Sequence, residues 1–227
     1  MDRSVAPSPV QILCKGILFD MDGILISSIG SVERSWTKWA NLRGVDAERT
    51  LHLIHGRRSI ESVAELRPDL DAEKENQIIE QFEIDDTEGL MVLPGVLDLI
   101  ASLPPERWTV VTSATDPLAR VRLASAGIPV PKRLITAESV AHGKPHPAPY
   151  QAGAALLGFA SEDCIAFEDA ASGTKSARAA GCTVVATPFS HPIDALQAAH
   201  YLIPDLTGVN VELSDSAGSL AVTFTPL

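Results

Sequence analysis

Cysteine is scarce in this chain: Cys14, Cys164 and Cys182 lie far apart and form no Cys-x-x-Cys pair. Each sits in or beside an apolar run, the pattern of reduced core thiols in a cytoplasmic protein, and the spacing offers no zinc site. Positive charge is also short, with 18 Lys and Arg against 29 Asp and Glu and a formal net charge of −11. Nucleic acid and anionic membranes both need a basic surface, so neither is expected as a partner. An anionic substrate is still allowed, because a local site or a bound metal can reverse the sign locally. No apolar run approaches membrane-helix length. Residues Met1 to Pro9 hold prolines and serines but no hydrophobic targeting segment, so residues 1–11 are expected to form a flexible tail. Internal repeats and low-complexity tracts are missing. With 227 residues, the chain has room for one large domain or two unequal ones.

Against these absences stands Gly16-Ile17-Leu18-Phe19-Asp20-Met21-Asp22-Gly23. The apolar run reads as a fully buried strand, and Gly23 permits a sharp turn just beyond it. A strand here puts Asp20 and Asp22 at its carboxyl end, where open α/β sheets place their ligands. Taken alone, the fragment could equally be a strand followed by an acidic turn. A calcium loop is rejected, because Ile24-Leu25-Ile26 follow where further oxygen ligands are needed.

Downstream the pattern changes. Trp36, Trp39, Ala40 and Arg43 follow helical spacing, with Gly44 as a stop. Leu51 to Ile54 is a short amphipathic piece, Ile60 to Leu66 another helix closed by Pro68, and Glu73 to Leu90 reads as helical and acidic. No strand signal is convincing between residues 30 and 90. From Leu93 onward strands and helices alternate. Strands are predicted over Trp108–Thr112, Cys164–Asp169 and Cys182–Ala186, with shorter ones at Arg133–Thr136 and Tyr201–Ile203. Helices are predicted over Pro117–Ala126, Ala148–Leu157 and Ser172–Ala180. Val209–Leu213 and Leu220–Phe224 look like a closing hairpin around Asp215-Ser216-Ala217-Gly218.

Such alternation implies α/β architecture: a Rossmann-like parallel sheet with helices on both faces. The first strand must pair with the later ones, so the helical block is an insertion. We therefore expect a discontinuous core (12–28 and 94–227) and an inserted α-helical cap domain (29–93) hinged over the strand ends.

Four separated signals share that carboxyl edge. Besides Asp20-x-Asp22, Thr112-Ser113 end a strand in two hydroxyls beside a helix start, a fair anion cradle. Lys144 lies in the proline-stiffened loop Gly143-Lys144-Pro145-His146-Pro147. Glu168-Asp169 end a second buried strand. Singly, each has an ordinary explanation: a helix cap, a solvated lysine, an acidic turn. Together they do not, because acids converging on one edge repel unless a cation sits among them. Oxygen donors without His or Cys point to magnesium rather than zinc. A lysine, hydroxyls and a hard cation around one point make a phosphoryl site.

The set Asp20-Met21-Asp22-Gly23, Thr112-Ser113, Lys144 and Glu168-Asp169 resembles the haloacid dehalogenase superfamily in order and spacing, over about Lys15 to Ala186. Gly143-Lys144-Pro145-His146-Pro147 and Phe167-Glu168-Asp169-Ala170 with Gly173 resemble the branch holding β-phosphoglucomutase and the sugar and glycerol phosphatases. That resemblance implies roles. Asp20 would be the nucleophile and form an aspartyl-phosphate. Asp22 would be the proton carrier, its side chain pointing away from the cation. Magnesium would be held by Asp20, the Asp22 carbonyl, Asp169 and Glu168. Thr112, Ser113 and Lys144 would hold phosphoryl oxygens. His55, Arg57 and Arg58 of the cap would be substrate contacts, and a small phosphorylated sugar or polyol would be the substrate. Ser27 stands where many family members have Asp, at the cap hinge. A phosphomutase is the rival enzyme reading, and a non-catalytic phosphosugar-binding module the rival of another class. The protein is expected to be a monomer or weak homodimer.

Overall fold

The computed structural model describes residues 8–54, 59–214 and 218–227. The chain opens with β1 (Val10–Cys14) and β2 (Gly16–Phe19), then β3 (Ile26–Ser27). Four helices follow: α1 (Ile29–Arg43), α2 (Ala47–Ile54), α3 (Ser59–Leu66) and α4 (Ala72–Asp85). The chain then returns through β4 (Met91–Val92) and α5 (Val96–Ser102) to β5 (Trp108–Val110), α6 (Asp116–Ser125) and α7 (Ala148–Leu157). It continues with β6 (Cys164–Glu168), α8 (Ala171–Ala180), β7 (Thr183–Ala186) and β8 (Tyr201–Leu202), and closes with β9 (Asn210–Leu213) and β10 (Leu220–Phe224).

Five strands form a parallel sheet in the order β5-β2-β6-β7-β8, so the first of them in sequence lies inside the sheet between two later ones. Its residues sort by the period of two that a strand imposes. Ile17 and Phe19 pack with Ile165, Phe167 and Val185 beneath α5 and α6, on the face that β10 also covers through Val222 and Phe224. Leu18 packs on the other face with Ala166 and Val184 against Tyr150 and Ala154 of α7 and Ala177 of α8. Helices thus cover both faces, as the alternation predicts.

The helical block has its own core of Trp36, Trp39, Ala40, Ile54, Val63 and Ile79. A buried carboxylate ties it together: Glu75 receives Trp39 Nε1 at 2.8 Å and a two-pronged Arg43 contact at 2.7 and 2.9 Å. The chain leaves and re-enters the sheet through one neck, where β3 pairs antiparallel with β4, Ile26 opposite Val92 and Ser27 opposite Met91.

Three expectations need correction. The tail does not reach residue 11, because Val10 and Gln11 pair with Phe224 and Thr223 as the start of β1. β1, β10 and β9 make a three-stranded antiparallel sheet, whose β9–β10 pair is the expected hairpin; residues 215–217 of its turn lie outside the described residues. Helix α4 stops at Asp85 rather than Leu90, since Arg34 grips the Asp86 carboxylate at 2.7 and 2.9 Å and the Glu88 carbonyl at 2.5 Å. Arg133–Thr136 contributes only a single bridge, Ile135 to Val111. No described helix is long and apolar enough to cross a membrane.

Trp39 is wholly buried and supplies one of the three donors to Glu75. Trp39→Ala should cost about 3–5 kcal/mol in urea unfolding, the usual range for a large aromatic removed from a core.

Candidate active site

Register sets the site. Phe19 lies opposite Val110 on one side and Phe167 on the other, so the residues after β2, β5 and β6 emerge side by side. Asp20 follows β2 and its amide donates to the Phe167 carbonyl at 2.9 Å. Glu168 ends β6 next to it and Asp169 follows. One oxygen from each of Asp20, Glu168 and Asp169 lies within 4.8 Å of the others.

Lys144 enters this acidic group from the loop before α7. Its ammonium donates to Asp20 Oδ1 and Glu168 Oε1, both at 2.7 Å. Burial would lower the pKa of this ammonium, but the two carboxylates outweigh it and raise it. One lysine does not balance three acids. Burial, then repulsion from Glu168, pushes the Asp20 carboxyl well above its ordinary range despite Lys144. The same two causes, in the same order, push Asp169 to about 7. An oxygen-only donor set, desolvated and short of positive charge, fits a hard divalent cation.

Glu168 occupies a special place in the group. Its Oε1 accepts from Lys144 and, at 2.5 Å, from the hydroxyl of fully buried Tyr150. Its Oε2 accepts from the amides of Asp169 and Ala170 at 3.1 and 3.3 Å. Four donors fill the lone-pair positions of a carboxylate, so Glu168 braces the lysine and lies behind Asp20 and Asp169. A methyl group on Gly173 would overlap the Glu168 carboxylate, so this position in α8 needs a residue without Cβ. Ser190, in the loop after β7, donates to Asp169 Oδ2, and the His191 ring nitrogen lies 3.0 Å from the same hydroxyl.

Asp22 goes elsewhere. The turn after β2 is closed by the Gly23 amide on the Ile26 carbonyl at 2.7 Å, with Gly23 at φ +84° and packed so closely on Asp169 that a side chain would overlap it. This turn sends the Asp22 carboxylate to the Ser28 hydroxyl at 2.6 Å and to Arg122 Nη1 at 3.0 and 3.2 Å. The two aspartates therefore stand in different surroundings, one in the acid cluster and one at the base of the helical block.

Thr112 and Ser113 follow the strand beside Asp20. The Thr112 amide donates to Ile135 and its hydroxyl accepts from the Ala114 amide at 3.1 Å, leaving the hydroxyl proton free to be donated. Among the described residues no hydrogen bond joins either residue to Asp20 or Lys144. His55, Arg57 and Arg58 lie outside the described residues. Sequence reasoning missed Tyr150, Ser190, Ser28 and Arg122. Tyr150 carried a signal, standing in the same proline-rich block as Lys144; the other three are joined to the site only by folding.

Comparison with known proteins gives the family and the fold. The profile of haloacid dehalogenase-like hydrolases matches residues 14–181. Hexitol phosphatase A of Escherichia coli is 42% identical over 178 residues, covering 76% of this chain and 82% of its own. Glycerol-1-phosphate phosphohydrolase 2 of Saccharomyces cerevisiae is 31% identical over 201 residues, covering 83% and 80%. Among solved structures, a CbbY variant of Rhodobacter sphaeroides in complex with xylulose-(1,5)bisphosphate superposes with a TM-score of 0.75, at 22% identity, over 90% of this chain and 98% of that one. At that identity the likeness is one of fold.

The cluster makes a linked prediction about pH and metal. Asp169 rises from an ordinary 3.8 to about 7 on folding, so its contribution to stability is full below about 4 and is lost as pH rises through about 7. Chelated protein should therefore be penalised by this group at pH 8. Magnesium at about 100 times its Kd should add about 2.7 kcal/mol there, or about 5–10 °C in Tm. The gain should shrink at pH 5, where protons compete for the same oxygens. Thermal melts with and without magnesium at the two pH values check it; equal gains would contradict this charge state.

Proposed function

The chain belongs to the haloacid dehalogenase-like hydrolases, and we propose that it is a magnesium-dependent phosphatase acting on a small phosphorylated sugar or polyol. The observation that carries this reading is the unequal placement of the two aspartates: Asp20 beside Lys144 and Asp169, Asp22 turned out towards Ser28 and Arg122. Similarity to a hexitol phosphatase and a glycerol-1-phosphate phosphohydrolase makes polyol phosphates the first substrates to test.

In this reading a carboxylate oxygen of Asp20 bonds to phosphorus while the bond from phosphorus to the ester oxygen breaks, giving an aspartyl-phosphate. Asp22 hands its proton to the departing alcohol oxygen. It then takes a proton from the water whose oxygen attacks phosphorus as the Asp20–phosphorus bond breaks. The sum is ester plus water to alcohol plus phosphate, with both aspartates restored. Such a division needs Asp22 outside the acid cluster, where it can carry a proton.

Asp20, Asp169 and the Asp22 carbonyl, with Glu168 behind them, would hold magnesium, which when bound neutralises charge on the phosphoryl group. Lys144, the Thr112 hydroxyl and the Ser113 amide are assigned to the phosphoryl oxygens, and His55, Arg57 and Arg58 to the rest of the substrate. We take residues 29–93 as the cap and the remainder, from Val10, as the core. Buried cysteines with pKa values pushed up to about 12, 11 and 12 at Cys14, Cys164 and Cys182, chiefly by burial, suit a cytoplasmic protein, as monomer or weak homodimer.

The test is inorganic phosphate release from hexitol, glycerol and hexose phosphates, with magnesium. Wild-type protein should release phosphate, and Asp20→Asn should lose about 10³-fold or more in kcat while keeping its melting temperature. Sugar-phosphate isomerisation without phosphate release would indicate a mutase instead. Binding of the same compounds without turnover would indicate a non-catalytic module.

A further inference from the structure

Arg122 is a buried cation that the chemistry above does not use. It lies in α6, its side chain only 5% exposed, and it reaches back 100 residues in sequence to the Asp22 carboxylate. Only one nitrogen is employed there. Nε and Nη2 are buried and, among the described residues, make no hydrogen bond. Facing Nη2 at 3.4 Å is Glu83 Oε2 of α4, close enough for an ion pair but not aligned as a hydrogen bond. The Glu83 carboxyl is buried and raised to about 7, first by burial, with Arg122 opposing the rise. The seam between α4 and α6 carries a second polar contact, from the Thr115 hydroxyl to Glu80. A guanidinium left half-satisfied in such a place is costly to stability.

We propose that Arg122 is a positioning residue for Asp22, holding its carboxyl at the α4–α6 seam and held in turn by Glu83 of the helical block. The proposal rests on the reading of Asp22 as proton carrier. Asp22 is two residues from Asp20, and a magnesium ion and Lys144 beside that residue would attract its carboxylate into the cluster. Arg122 supplies the opposing pull from outside. Ser28, the residue preceding α1, supplies a second anchor. Arg122 belongs to α6 and Ser28 to the segment entering α1, and Arg122 is itself faced by Glu83 of α4, so the helical block bears on the Asp22 carboxyl through that contact.

The consequence is a selective defect. An alkoxide leaves with a proton from Asp22, whereas p-nitrophenolate leaves without one, and general-acid assistance is worth about 10²–10⁴ in rate. Arg122→Met should lower kcat/KM about tenfold or more for the best alkyl phosphate of the substrate panel, and less than about threefold for p-nitrophenyl phosphate. The alkyl loss should fall in kcat rather than KM. Arg122→Lys should restore part of it, and Glu83→Gln should show the same split at smaller amplitude.

Equal losses on both esters, or no loss on either, would overturn the proposal. Asp22→Asn separates it from the reading beneath. If Asp22→Asn shows the split and Arg122→Met does not, only the Arg122 assignment fails. If Asp22→Asn itself lowers both esters alike, the proton-carrier reading fails and the proposal with it. Should Arg122→Met not fold by circular dichroism, Arg122→Lys and Glu83→Gln decide: a split in Glu83→Gln supports the proposal and its absence overturns it.

Discussion

Three carboxylates and one ammonium crowd the ends of β2 and β6, and the neighbouring chain answers to what that grouping needs. Asp20 and Glu168 come side by side at the ends of adjacent parallel strands because Phe19 is in register with Phe167; a slip of one residue would turn a strand's side chains to the other face. Space for them comes from Gly23 and Gly173, where side chains would overlap Asp169 and Glu168. Tyr150 and two backbone amides meet Glu168, and Ser190 meets one oxygen of Asp169. The loop bearing Lys144 is tied down in turn, since Ser176 of α8 donates to the His146 carbonyl at 2.6 Å. The charge group is thus braced from α7, α8 and the loop after β7, and its remaining imbalance is a feature that a divalent cation would complete.

The turn after β2 converts two similar residues into dissimilar ones. Asp20 is held by a lysine inside the cluster, Asp22 by a serine and an arginine outside it. Local sequence could not choose between them, because both are aspartates at the end of one strand. What separates them is the tight return of the chain from Gly23 to Ile26, which faces one carboxylate towards β6 and the other towards the neck formed by β3 and β4. The helical block is then attached where the second carboxylate lies.

Much of this was legible because local rules govern it. The buried runs of β2, β6 and β7 are too short for helices and too apolar for loops. Helices α1, α7 and α8 end where Gly44, Gly158 and Gly181 take left-handed conformations. The failures share a different cause. Val10 and Gln11 become a strand only because β10, more than 200 residues later, pairs with them. Helix α4 ends early because Arg34, in another helix, grips Asp86. Nothing beside Arg122 in sequence marks it out, and only packing of α4 on α6 buries it beside Asp22. Tertiary contacts decide each case, and no window of adjacent residues contains both partners.

An acidic chain can still select an anion if its cations are committed unequally, and the helical block shows such commitment. Arg34 pairs with Asp86, Arg43 with Glu75 and Arg67 with Asp69, while Lys38 covers the Phe82 ring at 3.9 Å. Arg43 and Lys38 close the α1–α4 packing, Arg34 fixes the end of α4 and Arg67 holds the turn after α3, so all serve the block's own structure. Each engaged cation is neutralised or turned to packing, and an anionic ester gains little from it. Lys144 differs in kind, because its two partners belong to the cluster that an incoming phosphoryl group and a cation would rearrange. Removing Arg34 or Arg43 would therefore loosen the block, whereas removing Lys144 would strike the charge balance on which the site is built.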